Sequence, residues 1–318
     1  MNVSVIGCGR WGSFLAWYLN RLGHQVTLYG RENSDKLAAL QSGRTNGLVT
    51  LNDAICLTSN LDDAVMPAEI LIISIGAQNL RALMCQLCKL DLHEKTVVLC
   101  MKGIEADTGK RLTQIVQEYA PDVPVAIWVG PGHVQYFVQG IPNCMVIDSS
   151  RVQTKEYLIQ AFSGDLIRFY YGTDLLGNEV GAAAKNVIGI AAGMLDGLNK
   201  TALKGALMSR GTREIARLIH AMGGNELTAY GLSHLGDYEA TVFSPFSHNR
   251  KFGELFVRGE PYSELAEGVA TTTALLRLGE QYDTELPICK AVDMVINGGR
   301  EPNRVLSDLF LRSLKIEF

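Results

Sequence analysis

The sequence predicts an α/β protein whose N-terminal half is a doubly wound parallel sheet and whose C-terminal half is all-helical. Three observations carry that prediction. The opening stretch MNVSVIGCGRWGSFLAWYLNRLGHQVTLYG sets strand, glycine-rich turn, helix and second strand in the order of a βαβ unit. Short apolar runs then alternate with helical stretches as far as about residue 176. Beyond it strand runs cease and long helical stretches take over.

The elements follow in order. Val3, Ser4, Val5 and Ile6 form a β-branched run suited to a buried parallel strand. Gly7-x-Gly9-x-x-Gly12 comes next, then a helical stretch over residues 14–22, closed by Gly23, and a second strand over residues 25–29. Gly7 permits the tight turn, Gly9 lets backbone approach a pyrophosphate, and Gly12 lets helix and strand pack closely. The helix N-terminus offers N–H groups and a positive dipole end to phosphates, so the motif reads as a Rossmann dinucleotide site. A site that prefers NAD ends its second strand in an acid. Here Tyr29-Gly30-Arg31 stands, with Glu32 the nearby acid. Arg31 suits a 2′-phosphate, so NADP is the expected cofactor and NAD the alternative. Residues 70–75, 96–100, 125–129, 144–147 and 167–171 read as further strands. Helical stretches cover residues 179–198, 204–222, 264–282 and 286–296. The expected division is a dinucleotide-binding domain over 1–176 and a helical substrate domain over 177–318.

Composition narrows the class. With 47% hydrophobic and 19% charged residues the chain reads as an ordinary globular protein. A formal net charge of −4 argues against general nucleic-acid binding. No apolar run reaches the roughly 18 residues of a membrane span, and the N-terminus lacks a secretory signal's basic start. Seven cysteines, an odd number, point to reduced thiols and hence to the cytoplasm. Cys85 and Cys88 have redox-pair spacing within a helical stretch over residues 79–90, and are expected there as two buried small residues.

Within VGAAAKNVIGIAAGM, residues 180–194, only Lys185 and Asn186 have polar side chains. A helix apolar nearly all round is normally buried, and a buried lysine needs a partner or a task. Gly181 and Gly189 lie one turn to either side and are expected to leave room for a ligand beside the amine. Such a lysine can give a proton to a carbonyl oxygen as hydride arrives.

Taken together, these motifs resemble the bacterial-type NAD(P)-dependent glycerol-3-phosphate dehydrogenases. The matching stretches are GCGRWGS (7–13), MKGIE (101–105), AAAKNVIGIAAGMLDGL (182–198), LMSRGTREIARLIHAMGG (207–224), LSHLGD (232–237), HNRKFGE (248–254), AEGVATTTA (266–274) and LPI (286–288). The resemblance implies a Rossmann domain, a helical substrate domain and a homodimer acting on a small molecule. It makes Lys185 the proton donor and acceptor, puts Lys102 at the cofactor–substrate junction, and has Asp237 position substrate and lysine. Gly7, Gly9, Arg10, Trp11, Gly12, Ser13, Arg31, Lys102 and Glu267 become cofactor-binding residues. Lys102, Gly130, Gly132, Lys185, Asp237, Ser247, His248, Asn249 and Arg250 become substrate-binding residues, with Asn249 on the substrate phosphate.

The departures from the family pattern cluster in the substrate loops. The usual GPSFA is GPGHV here, so Gly132 replaces a substrate-contacting serine. LAGLGDL has become LSHLGDY, which introduces His234. SRNRR has become SHNRK, so His248 replaces an arginine, and Ile75-Gly76-Ala77-Gln78 replaces VPS. Histidine lacks arginine's permanent charge and bidentate fork, which leaves Arg250 or Lys251 to bind phosphate. His133, His234 and His248 are open to three readings: a protonatable cluster for another polar ketone or acid, a divalent metal site shared with Asp237, or independent loop residues. None has sequential ligand spacing, and no metal is expected. The leading expectation is reduction of dihydroxyacetone phosphate to sn-glycerol 3-phosphate for phospholipid synthesis. The alternatives are another small hydroxy or keto substrate, and a cofactor-binding sensor without catalysis.

Overall fold

The structure, a computed structural model, describes residues 1–311. The chain forms two compact units. Met1–Lys102 and Lys110–Leu175 make the first; Gly103–Gly109 and the chain from Leu176 onward make the second. The short excursion therefore belongs with the helical unit although it lies within residues 1–176.

The first unit is built on one eight-stranded sheet. Its strands are β1 (Asn2–Ile6), β2 (Gln25–Tyr29), β3 (Cys56–Thr58), β4 (Ile70–Ile73), β5 (Thr96–Leu99), β6 (Val125–Val129), β7 (Asn143–Ser149) and β8 (Ile167–Tyr171), in spatial order β3-β2-β1-β4-β5-β6-β7-β8. The first six are parallel. β7 pairs antiparallel with β6 and parallel with β8, so the last two strands run the other way. The doubly wound sheet is thus mostly parallel, with one antiparallel pairing between β6 and β7. β4, β5 and β6 are buried along their whole length, which is why they read as unbroken apolar runs. Helices α1 (Arg10–Arg21), α2 (Asp35–Gly43), α3 (Leu61–Val65), α4 (Leu80–Leu87), α5 (Leu112–Tyr119), α6 (Val134–Val138) and α7 (Val152–Phe162) fill the connections. One core cluster joins Phe14, Tyr18, Trp128, Phe137 and Phe162 to the aliphatic strand residues.

Cys85 in α4 and Cys88 at its C-cap correct one expectation. Both Cys85 and Cys88 are exposed. Leu80, Met84 and Leu87 are the residues that α4 buries, and Cys85 Sγ donates to Tyr119 Oη at 3.1 Å.

The second unit wraps around α8 (Leu175–Gly197), buried at every residue from Gly177 to Leu195. Packed in the same unit are α9 (Lys204–Ala221), α10 (His248–Arg258), α11 (Glu267–Gln281), α12 (Pro287–Ile296) and α13 (Pro302–Phe310). α10 forms where the sequence reading placed a loop. Small residues let α10 cross α8 at backbone distance. A Cβ on Gly193 would lie 1.9 Å from the Arg250 carbonyl oxygen, and one on Gly253 would lie 2.1 Å from that of Ile190. At the start of α12 the buried Glu214 carboxylate accepts the N–H groups of Ile288 and Cys289 at 2.8 and 3.1 Å. Burial outweighs these bonds and pushes its pKa up to about 7.

Gly193→Ala should therefore force α8 and α10 apart and cost about 1–3 kcal/mol of stability. Gly205→Ala in α9, where an added Cβ meets nothing within 4 Å, should be neutral or stabilising. Denaturant unfolding of the two variants checks the contrast.

Candidate active site

The turn after β1 is fixed by three glycines with three different environments. Gly7 adopts φ +118° and donates its N–H to Tyr29 O at 2.9 Å; a Cβ there would strike Ser74 O at 2.2 Å. A Cβ on Gly12 would lie 1.8 Å from Gly7 O. At Gly9 an added Cβ would meet nothing within 4 Å. The turn is thus closed on two sides and open on the third, where a side chain would fill the approach to α1. No side chain caps the N-terminus of α1, so its first N–H groups suit a pyrophosphate. Half-buried Arg10 and Trp11 follow the open glycine. Ser13 departs from its expected contact with a cofactor. It is fully buried, and its hydroxyl donates to Cys8 O at 3.3 Å, bracing the turn from inside. Arg31 is exposed just past the end of β2.

At the C-terminal ends of β5 and β6, half-buried Lys102 donates from Nζ to Gly130 O at 2.7 Å. Gly130 sits at φ +128°. A Cβ on Gly132 would lie 2.5 Å from Phe137 Cε2, and that ring is locked by stacking on Phe14 at 5.1 Å with Trp11 at 6.3 Å.

In the second unit Lys185 is 7% exposed and Asp237 1%. Lys185 Nζ lies 2.9 Å from Asp237 Oδ2 and donates to Thr241 Oγ1 at 2.7 Å. Thr241 Oγ1 in turn donates to Asp237 O at 2.7 Å. Asp237 ends a 3-10 turn (Leu235–Asp237), and Thr241 lies in a π-helical turn (Glu239–Phe243), irregular backbone of the kind that re-aims side chains. Thr241 escaped the sequence reading because a π turn leaves no 3.6-residue pattern. Gly181 and Gly189 do not leave room for a ligand. Cβ atoms there would meet His234 Cβ at 3.0 Å and Thr241 Cγ2 at 2.6 Å, so these glycines admit the neighbours that hold the lysine.

At the head of α10, Ser247 is the N-cap and accepts the N–H of Arg250 at 3.3 Å. Asn249 Oδ1 accepts the N–H of Gly268 at 2.8 Å, tying α10 to the first turn of α11, whose opening residue is Glu267. That orientation leaves the Asn249 Nδ2 hydrogens as donors.

The family descriptions for the NAD-dependent glycerol-3-phosphate dehydrogenase N-terminus and C-terminus match residues 2–155 and 174–307. This chain belongs to the NAD-dependent glycerol-3-phosphate dehydrogenase family. It is 34% identical to an NAD(P)+ glycerol-3-phosphate dehydrogenase of Thermoanaerobacter sp. (strain X514), covering 100% of this chain and 99% of that one. Its identity to the Bradyrhizobium sp. (strain ORS 278) enzyme of the same name is 36%, covering 99% and 98%. The solved glycerol-3-phosphate dehydrogenase of Coxiella burnetii superposes with a TM-score of 0.92 at 25% identity, covering 98% and 99%. The chain is accordingly an NAD(P)-dependent oxidoreductase acting on a CH–OH group.

Two of the departures from the glycerol-3-phosphate dehydrogenase pattern, at residues 132 and 234, have physical reasons. Gly132 replaces the pattern's serine because Phe137 occupies the space its side chain would need. His234 is fully buried; Nδ1 donates to Gly181 O at 2.8 Å, and Nε2 accepts from Tyr238 Oη at 2.7 Å. With both ring nitrogens engaged, His234 offers neither a metal ligand nor a face to substrate, which leaves it, of the three readings, apart from a shared cluster. His248 opens α10, with Nδ1 2.6 Å from Tyr262 Oη. Arg250 does not take over from the missing arginine. Its Nε donates to Ser244 O at 3.0 Å, and Nη1 bonds Asp196 at 2.7 Å and Glu254 at 3.2 Å, so the guanidinium braces the α8–α10 crossing. Lys204 shares Asp196 at 2.6 Å, and these hydrogen bonds hold that carboxyl below the usual range despite its burial.

Burial pulls the pKa of His234 down to about 4, against the Gly181 bond and the nearby Asp237 charge. The unfolded chain takes up this proton near pH 6.5, while the folded chain resists until about pH 4. His234 therefore supports stability above pH 6.5 and loses that support as pH falls towards 4. Relative to His234→Asn, the wild type should lose up to roughly 3 kcal/mol across that window, read from paired unfolding curves.

Proposed function

We propose that this chain reduces dihydroxyacetone phosphate to sn-glycerol 3-phosphate, reversibly, with NADPH preferred over NADH. The observation that carries the reading is Lys185 held by Asp237 and Thr241 within a buried helix. When bound, the nicotinamide cofactor supplies the hydride that C2 of the ketone accepts. The ketone oxygen then needs a proton, and the Lys185 ammonium is the donor. Asp237 stabilises the charged lysine, and Thr241 aims Nζ along one direction. In the reverse reaction Lys185 takes the proton from the alcohol.

Several residues support binding. Gly9 leaves the pyrophosphate approach open while Gly7 and Gly12 hold the turn, with Arg10 and Trp11 at the start of α1. Arg31, at the end of β2, suits the 2′-phosphate, and Glu267 takes a cofactor contact at the head of α11. Lys102 holds the Gly130 carbonyl and serves the junction of cofactor and substrate. Asn249 offers its amide hydrogens to the substrate phosphate. Arg250 is engaged by Asp196 and Glu254, which leaves exposed Lys251 as the neighbouring cation for the phosphate, with Gly130, Gly132, Ser247 and His248 shaping the surroundings.

The product suits glycerophospholipid synthesis. A cytoplasmic location fits seven free cysteines, and among the described residues no helix is long and apolar enough to cross a membrane. The homodimer follows from the family resemblance, and sedimentation tests it. The domain roles are dinucleotide binding over residues 1–176 and substrate binding over 177–318.

NADPH oxidation with dihydroxyacetone phosphate, with NADH in parallel, is the direct test. Turnover confined to phosphate-free ketones would replace the substrate, and no turnover on any ketone would leave a sensor. Lys185→Ala should lower kcat by at least about 100-fold while NADPH binding stays near normal. Arg31→Ala should weaken NADPH by roughly 10- to 100-fold and NADH little, read by equilibrium titration.

A further inference from the structure

His234 stands outside the proton-transfer pair yet touches both elements that carry it. Its Nδ1–H reaches the carbonyl of Gly181, four residues before Lys185 in α8. By α-helix geometry that carbonyl also receives the backbone N–H of Lys185. The His234 carbonyl accepts the N–H of Asp237 at 3.0 Å. A closed ring results. It runs from Lys185 Nζ to Asp237 Oδ2, through the Asp237 backbone to His234, from the imidazole to Gly181, and back along one helical turn to Lys185.

Tyr238 completes the device. The Gly181 carbonyl can only accept, so the proton of the neutral imidazole sits on Nδ1, and Nε2 accepts from the Tyr238 hydroxyl at 2.7 Å. The two rings stand edge-on at 4.9 Å. The charged and titratable groups acting on this imidazole are Asp237 and Lys185 on one side and Tyr238 on the other. Glu214 and Cys289 lie behind Tyr238.

We propose that His234 is a positioning residue: its Nδ1–H bond to the Gly181 carbonyl sets the distance and direction between Lys185 and Asp237, and Tyr238 holds the opposite ring nitrogen. The proposal rests on Lys185 as the proton donor. It also explains why a histidine is accommodated at 234, where the family pattern reads glycine: the glycine at 181 leaves the imidazole room to reach the helix backbone.

Two replacements separate the halves of the clamp. Asn at 234 keeps a short amide donor for Gly181 O, whereas Ala keeps nothing. With purified full-length protein, His234→Ala should lower kcat by between about 10- and 100-fold and leave KM for dihydroxyacetone phosphate and NADPH within about twofold. His234→Asn should recover most of kcat. Thermal melts and circular dichroism confirm that both variants are folded. A second readout needs no substrate: acetylation of Lys185 by acetic anhydride relative to exposed Lys89, measured by mass spectrometry. The ratio should change in His234→Ala and return in His234→Asn. An unchanged kcat and labelling ratio in folded His234→Ala, or His234→Asn as impaired as His234→Ala, overturns the proposal. If wild type fails to turn over dihydroxyacetone phosphate, or Lys185→Ala retains turnover, the proposed reaction or role of Lys185 falls. The labelling ratio alone then decides the clamp.

Discussion

A lysine amine seated in the middle of a buried helix constrains nearly everything around it. Left without a partner among alanines and glycines, an ammonium would cost several kcal/mol or give up its proton. Asp237 meets it at 2.9 Å, but that carboxylate comes from a short turn rather than from a regular element. The turn must itself be held, and Thr241, His234 and Tyr238 do so through hydrogen bonds of 2.7–2.8 Å. The helix, in turn, can be buried on all sides only if its neighbours approach to backbone distance. Gly193 and Gly253 allow that approach, and Arg250 with Asp196 braces it electrostatically.

The nucleotide-binding turn obeys a different constraint. There the backbone itself must approach the ligand, so steric room is the scarce quantity. Gly7 and Gly12 have no space for a Cβ because protein occupies it, while Gly9 has space that a side chain would take from a ligand. One motif therefore contains two structural glycines and one that binding alone explains.

Much of this was legible in the residues. β2, β6 and β8 fall on the runs read from the sequence: β6 as an unbroken buried apolar run, β2 and β8 as β-branched and aromatic runs that are only partly buried. β3, three residues with no apolar run, left no such signal. α10 did leave one, in Ser247 as N-cap and Gly259 in a left-handed C-terminal conformation, but the family pattern drew attention to its residues as loop ligands. That Lys185 needs a partner or a task followed from the cost of its burial, and Asp237 beside it followed from the family resemblance. The roles of Gly181, His234 and Arg250 did not, because each depends on a partner far away in sequence. Gly181 and His234 meet across 53 residues, and Arg250 meets Asp196 across 54. Small residues beside a lysine read equally as space for a ligand and as space for another side chain, and only the tertiary contacts separate the two.

The path of the chain between the two units has a consequence for how such an enzyme is inherited. The backbone leaves the first unit after Lys102, returns at Lys110, and leaves again after Leu175. Two compact bodies are thus encoded by interleaved stretches, and a single recombination event near residue 176 would transfer a helical unit lacking residues 103–109. The units are not free cassettes that can be shuffled among genes. A transferred helical unit would need residues 103–109 to come with it from the first half of the chain.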